Sequence, residues 1–292
     1  MCGIAGVLNY SNEKELVHSA QIEKMCKVIA HRGPDGQGVF IDSNLGLGHR
    51  RLSIIDLSNA ASQPLQDQTG RYVISYNGEV YNYRELRDDL LKLGHVFQSA
   101  SDTEVILESY KQWGLDFLEK LNGIFTFAIW DKIERSLLVA RDPVGIKPLF
   151  FYDNHKTFIF GSEVKAVLAN SQVSRAIDPK ALDNYFSFNY MPAPQTLLRE
   201  VTQLLPGHFL LFKNGRKTEG TFGSLSNRSH NESKLTFDDE LATFTEKFQK
   251  TVHNQTVADV PVGSFLSGGL DSTAVAVALK QSVKSFTFQY EI

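Results

Sequence analysis

Cysteine is scarce in this sequence: Cys2 and Cys26 are the only two among 292 residues. With no export signal ahead of them, a reducing compartment is expected and a disulfide between them is not. Long apolar runs are missing too. The best candidate, residues 123–130, falls far short of the roughly 18 residues that a membrane-spanning helix needs. The first residues carry no basic segment, and their apolar stretch ends at Asn9-Tyr10-Ser11-Asn12, so no cleaved leader is expected and a cytoplasmic location is. Neither sign of charge is in excess. The 30 Lys and Arg stand against 33 Asp and Glu, a net charge of -3, which offers no basic surface to nucleic acid or to an anionic membrane. No Cys/His spacing suits zinc and no acidic loop suits calcium, so no protein metal site is expected. What remains is ordinary globular material, 42% hydrophobic, enough for one large domain or two smaller ones.

The pattern of apolar residues divides the chain. Residues 3–8 read as a buried strand and 15–30 as a helix, in which Cys26 is a small buried hydrophobe. A turn-rich segment, 31–36, precedes strands at 38–41, 45–49 and 72–77. Helices are expected over 83–94 and 103–113, each stopped by a glycine, with Asp102 as a candidate cap for the second. Strands at 123–130 and 136–141 flank a turn at 131–134, and strands at 149–152 and 157–161 follow. Many strands with a few helices gathered between them imply an α+β domain with helices packed outside its sheets. Residues 213–216 read as a hairpin turn, and 220–234 are rich in Ser, Asn and Gly. Residues 213–236 are therefore expected to link a first domain, 2–212, to a second, 237–292. The second reads as helix 238–257, strand 260–266, helix 271–280 and strand 283–290, one β-α-β unit of a parallel sheet. One such unit cannot cover both faces of its sheet, so this domain is expected to be cut short.

Cys2 is followed by Gly3-Ile4-Ala5-Gly6. A small second residue permits removal of Met1, which leaves a free α-amine on the residue that carries the thiol. An α-amine titrates near 7.7–8.0, so it is a usable base at neutral pH. It takes the thiol proton directly or through one water and so generates the attacking thiolate.

Further along come His31-Arg32-Gly33-Pro34-Asp35-Gly36, His49-Arg50-Arg51-Leu52-Ser53-Ile54, Tyr76-Asn77-Gly78-Glu79-Val80-Tyr81-Asn82 and Ser101-Asp102-Thr103-Glu104. With the N-terminal block, and with Arg141-Asp142, Gly145-Ile146-Lys147-Pro148-Leu149 and Ser162-Glu163-Val164-Lys165-Ala166, these motifs resemble the class II glutamine amidotransferases. The resemblance spans residues 2–212. It implies a four-layer αββα N-terminal-nucleophile fold, with Cys2 as nucleophile. It also implies an oxyanion hole made by the Asn77 side chain and the Gly78 backbone N–H, donors each worth a few kcal/mol of barrier. Arg51 would hold the glutamine α-carboxylate through its planar fork. Asp102 and Glu79 would hold the α-ammonium, and the backbone of Leu52, Ser53, Ile54 and Ile55 would line the pocket. Read locally, Asn77-Gly78 is also a strong hairpin signal, Arg51 a surface cation, and Asp102 a helix cap. His31 and His49 are read as structural, since the N-terminal amine already supplies the base.

Ser267-Gly268-Gly269-Leu270-Asp271-Ser272 lies between an expected strand and an expected helix, where a phosphate meets backbone N–H groups at the positive end of a helix. Without Gly-Lys-Ser/Thr it is not a Walker loop. It resembles the pyrophosphate loop of the ATP pyrophosphatases. That resemblance implies ATP as substrate, with Leu266 and Phe288 at the adenosine and Asp271 near a magnesium ion. A class II glutaminase followed by such a loop resembles the glutamine-hydrolysing asparagine synthetase family. Glutamine, aspartate and ATP are then the expected small-molecule partners, a homodimer is allowed, and neither nucleic acid nor membrane is expected. Three places depart from the family pattern or vary within it: Thr218-Glu219-Gly220-Thr221-Phe222 stands where a Tyr-Trp pair is usual, Pro143-Val144 occupies a variable place in the Arg-Asp motif, and the aspartate site is expected beyond Ile292. A family member acting on another carboxylate, a truncated stand-alone glutaminase and a non-catalytic protein of the same fold are the competing expectations. The intact set Cys2, Arg51, Asn77, Gly78 and Asp102 counts against the last.

Overall fold

In β1 (Gly3–Asn9) every residue is buried, yet alternate side chains face different neighbours. Ile4 and Leu8 join one apolar cluster with Phe158, Phe160 and Trp130, whereas Ala5 and Val7 join another with Ile22, Met25 and Cys26. Side chains alternate across a strand, so a strand covered on both faces reads as an unbroken apolar run. The structure is a computed structural model, which describes residues 1–223, 235–279 and 283–287. Two compact units divide the chain, residues 1–226 and 227–292.

The first unit continues with α1 (Ser19–Val28), β2 (Gly36–Asp42), β3 (Leu45–Arg51), β4 (Leu65–Gln66), β5 (Tyr72–Val80), α2 (Tyr83–Lys92) and α3 (Asp102–Trp113). Then come β6 (Gly123–Asp131), β7 (Ser136–Arg141), β8 (Phe150–Asp153), β9 (Thr157–Gly161), α4 (Val164–Val167), α5 (Pro179–Phe188), β10 (Thr202–Gln203), β11 (His208–Lys213) and β12 (Arg216–Thr221). The strands form two six-stranded sheets, in the orders β10-β8-β9-β1-β3-β2 and β12-β11-β7-β6-β5-β4. All of their pairings are antiparallel. The sheets meet through Ile4, Leu45 and Phe158 of the first and Val73, Trp130, Val139 and Phe212 of the second. Helices α1 and α4 cover the outer face of the first sheet. Helix α3 lies against the second, where Tyr110 meets Tyr72 edge-on at 5.8 Å between ring centroids. The result is four layers, helix, sheet, sheet, helix, as the motifs implied.

The first helix begins at Ser19, not near residue 15. Residues 15–17 are held by tertiary bonds instead: Asn9 Nδ2 donates to the Glu15 carbonyl at 2.9 Å, and the Val17 N–H donates to the Ser43 carbonyl at 2.8 Å. The expected linker also starts too early at 213. Residues 216–221 are strand β12, paired with β11 from Arg216↔Lys213 to Thr221↔His208, and Phe222 is buried beyond it. A polar edge strand, Arg-Lys-Thr-Glu-Gly-Thr, lacks the apolar alternation by which strands are read, so only the turn was legible. Residues 224–234 lie outside the described part. Helix α5 had not been expected, although Asp178 caps it and Pro179 opens it.

The second unit contains α6 (Phe237–Asn254), β13 (Gly263–Phe265), α7 (Leu270–Ala278) and β14 (Lys284–Phe286). β13 and β14 pair in parallel, Gly263↔Lys284 to Phe265↔Phe286, with α7 as their crossover, so the expected β-α-β unit is present.

Candidate active site

Antiparallel pairing of Gly3 with Arg50 brings the start of β1 beside the end of β3. Cys2 therefore lies against Leu52. The Leu52 N–H donates to Cys2 Sγ at 3.3 Å, and the thiol faces the Leu52 carbonyl at 3.5 Å. Burial pushes the thiol pKa up, the neighbouring Glu79 and Asp102 add to that rise, and the Leu52 hydrogen bond opposes it. In the chain described here Met1 precedes Cys2, so the Cys2 nitrogen is an amide. Its carbonyl accepts from Arg32 Nε at 2.8 Å.

A narrow hollow opens beside this thiol. It holds about 30 Å³ for the centre of a water molecule and about 350 Å³ with its mouth included. Cys2, Arg51, Leu52, Gly78, Glu79 and Asp102 all border it. So do Ile54 and Ile55, as expected, together with Tyr76, Gln63, Thr103 and Ala61, which had not been singled out. Ser53 does not border it; its N–H donates to Asp35 Oδ2 at 2.8 Å. Arg51 reaches the rim with both terminal nitrogens on loop carbonyls, Nη1 on Ser58 at 2.9 Å and Nη2 on Asp56 at 2.5 Å.

Asn77 and Gly78 are not a hairpin. They sit within β5, opposite Thr126 and Phe125 of β6. A Cβ on Gly78 would come within 2.3 Å of the Ile124 carbonyl oxygen, so glycine is required by the close approach of the two strands. Asn77 is 1% exposed, and its Nδ2 has no hydrogen-bond partner among the described residues. A buried amide donor left without an acceptor is costly in a folded protein; Asn77 itself is not among the residues that border the hollow.

Asp102 is the first residue of α3 but not its cap. Ser101 performs that task, its Oγ accepting from the Glu104 N–H at 3.3 Å. The Asp102 carboxylate borders the hollow, where Oδ2 accepts from Tyr76 Oη at 2.7 Å and from the Val80 N–H at 3.2 Å, and the carboxylate also meets the Thr103 backbone N–H. Burial raises the pKa of both Asp102 and Glu79, and their mutual repulsion raises Glu79 further. Lys147 belongs to the same electrostatic neighbourhood. It is buried, desolvation lowers its pKa, and Glu79 and Cys2 oppose that fall. Arg32 and Lys147 both lie in motif blocks, but sequence order alone does not say which blocks meet. His49 is wholly buried under the pocket, with Nε2 on the Tyr76 carbonyl at 2.9 Å, and burial drops its pKa to about 4. Neither His49 nor His31, whose Nε2 lies 2.7 Å from Glu163, is among the residues that border the hollow.

In the second unit, the segment from Ser267 to Ser272 follows β13 and runs into the first turn of α7. Gly269 is the N-cap of α7, so no side chain covers the first-turn N–H groups. Gly268 has φ +82°, with open space where a Cβ would be. Ser267 Oγ and Ser272 Oγ lie 3.0 Å apart and fold the loop back on the helix. The Leu266 N–H donates to the Phe286 carbonyl at 2.8 Å and ties the strand end to β14. Asp271 and Leu270 are exposed in the first turn. Phe288 lies outside the described residues. Among the described residues no group of three or more His, Cys, Asp or Glu could hold a metal, and no helix is long and apolar enough to cross a membrane.

A sandwich of two antiparallel sheets between helices, with a cysteine just ahead of the central strand β1, is the architecture of the N-terminal-nucleophile class of fold. Residues 1–223 match the glutamine amidotransferase domain, and the chain belongs to that family. Residues 243–291 match the asparagine synthase family. The glutamine-hydrolysing asparagine synthetase 3 of Bacillus subtilis is 37% identical over 94% of this chain and 44% of its own length. Asparagine synthetase 1 of the same organism is 38% identical over the whole chain and 46% of its own length. The chain thus spans less than half the length of these relatives. Among solved structures, the glutamine phosphoribosylpyrophosphate amidotransferase of B. subtilis is 17% identical, covers 98% of this chain and 65% of that one, and has a TM-score of 0.55, a likeness of fold.

Proposed function

We propose that residues 1–223 hydrolyse glutamine at Cys2, and that the ammonia released serves the ATP-dependent amidation of aspartate to asparagine. The observation that carries this reading is that Cys2, Arg51, Glu79 and Asp102 border one hollow, while Asn77, whose Nδ2 has no partner among the described residues, lies in the same strand as Gly78 and Glu79. Once Met1 is removed, the Cys2 α-amine takes the thiol proton, and the thiolate attacks the glutamine side-chain carbonyl. Charge develops on that oxygen, where Asn77 Nδ2 and the Gly78 N–H stabilise it. Collapse of the tetrahedral intermediate expels ammonia, which carries the proton returned by the amine. Water then hydrolyses the thioester to glutamate. Arg51 would receive the α-carboxylate, exchanging its loop carbonyls for a bidentate partner. The crowded Glu79 and Asp102 would receive the α-ammonium, and a cation between them relieves the repulsion that raises their pKa values.

The Ser267–Ser272 loop would bind the ATP phosphates on the uncapped start of α7. Asp271, an exposed carboxylate in the first turn of α7, would help hold a magnesium ion carried by the phosphates, and that ion would neutralise phosphate charge. Adenylation of the aspartate side chain releases pyrophosphate, and attack by ammonia then releases AMP. Leu266, and Phe288 by family likeness, would contact the adenosine. A cytoplasmic enzyme of amino-acid biosynthesis fits this chemistry. The test is to incubate the processed protein with glutamine and follow glutamate and ammonia. Aspartate and MgATP are then added and pyrophosphate is followed. Glutamate release is expected; its absence ends the glutaminase reading, and pyrophosphate that does not depend on aspartate ends the asparagine reading.

A further inference from the structure

The motif Ser162-Glu163-Val164-Lys165-Ala166 is not used by the chemistry above, yet it lies directly behind the nucleophile. Ser162 brackets Ile4: its Oγ accepts from the Ile4 N–H at 2.9 Å, and its own N–H donates to the Ile4 carbonyl at 2.9 Å. Glu163 grips the next layer. Its Oε1 accepts from Arg32 Nη1 at 3.1 Å and from His31 Nε2 at 2.7 Å, and its Oε2 pairs with Lys165 at 3.0 Å. Arg32 in turn donates from Nε to the Cys2 carbonyl at 2.8 Å. The Arg32 side chain is 9% exposed and that of Glu163 24%.

A guanidinium is planar, and its donors point in fixed directions. Holding Nη1 on a carboxylate therefore fixes where Nε points. Cys2 stands before β1, outside the sheet pairing that begins at Gly3↔Arg50. Among the described residues, its backbone carbonyl is oriented by Arg32 Nε, and the Arg32 plane is oriented by Glu163.

We propose that Glu163 is a positioning residue for the nucleophile: through Arg32 it sets the orientation of the Cys2 backbone, and so of the thiol and of the amine that Met1 removal exposes. This rests on the reading of Cys2 as the glutaminase nucleophile. Glu163 touches none of the groups that would bind glutamine. Its loss therefore acts on the chemical step and spares substrate binding. A misaligned nucleophile lowers kcat, whereas a lost binding contact raises KM.

The experiment uses the whole chain with Met1 removal verified by mass spectrometry. Glu163→Gln keeps the shape and removes the charge. It is expected to lower kcat for glutamate release by about tenfold or more, with KM within about twofold of wild type. Glu163→Asp, which keeps the charge, is expected to recover part of that loss. Lys165→Gln removes a partner of Glu163 that does not touch Arg32, and is expected to keep wild-type kcat. The proposal is overturned if Glu163→Gln retains wild-type kcat, if its effect falls on KM alone, or if Lys165→Gln loses as much activity. Wild-type protein that releases no glutamate overturns the Cys2 reading, and this proposal with it. An active wild type with an equally active Glu163→Gln overturns only the role of Glu163.

Discussion

The phenol of Tyr76 donates to Oδ2 of Asp102 across 2.7 Å, joining the middle of β5 to the first turn of α3. This bond explains how one carboxylate stays available at a helix start that would otherwise employ it as a cap. Ser101 caps the helix, the Val80 N–H gives Asp102 a second donor, and the carboxylate remains at the wall of the hollow. Both donors favour the charged form against the burial that disfavours it.

Tyr76→Phe removes one of those donors without changing the shape of the ring. The Asp102 pKa should rise further, and less of it will be ionised to meet an α-ammonium. A buried charged group that loses a hydrogen bond costs about 1–3 kcal/mol, so KM for glutamine is expected to rise roughly tenfold with a smaller change in kcat. Steady-state kinetics of glutamate release checks this; an unchanged KM removes Asp102 from substrate binding.

Cys2→Ala should abolish glutamate release and leave the melting temperature close to that of wild type. An electrophilic glutamine mimic should label Cys2 in the wild type and nothing in the variant. Protein that keeps Met1 should be inactive, because its Cys2 nitrogen is an amide and has no basic lone pair. Active protein with Met1 retained in its mass spectrum contradicts the amine as base.

Much of the sandwich was legible because strands buried on both faces read as short apolar runs: residues 123–130 became β6 (Gly123–Asp131), and 136–141 became β7 without change. Where strand identity depends on a neighbour, the sequence was silent. β12 carries six largely exposed residues and is a strand because β11 offers it an edge. The site was legible through its motif blocks, which the fold brings together at Cys2, Leu52, Gly78 and Asp102. Ser53 is not among the residues that border the hollow. Arg32 and Lys147 went unnoticed because their roles depend on contacts between blocks distant in sequence.

Asn77→Ala should lower kcat by roughly 100- to 1,000-fold, the usual effect of removing one oxyanion donor, and should leave KM nearly unchanged. Because Nδ2 has no partner among the described residues, its removal breaks no hydrogen bond within them. The melting temperature is then expected to fall no more than the small side-chain cavity requires. A variant that keeps its kcat but unfolds early would make Asn77 a structural residue instead.

Glu79→Gln should stabilise the protein, increasingly so as pH rises. Burial and Asp102 raise the Glu79 pKa in the folded state. At pH values above the ordinary carboxylate pKa the folded chain therefore still holds a proton that the unfolded chain has released. The unfolded state binds fewer protons there, so wild-type stability falls as pH climbs toward the raised pKa. A glutamine at this position carries no such penalty. The melting temperature of Glu79→Gln relative to wild type should thus be nearly equal around pH 4 and higher around pH 8. The same variant should bind glutamine more weakly, since it discards half of the carboxylate pair that would receive the α-ammonium. Melting curves that keep a constant offset across this range, measured beside KM, would show that the two carboxylates do not repel one another in the folded protein.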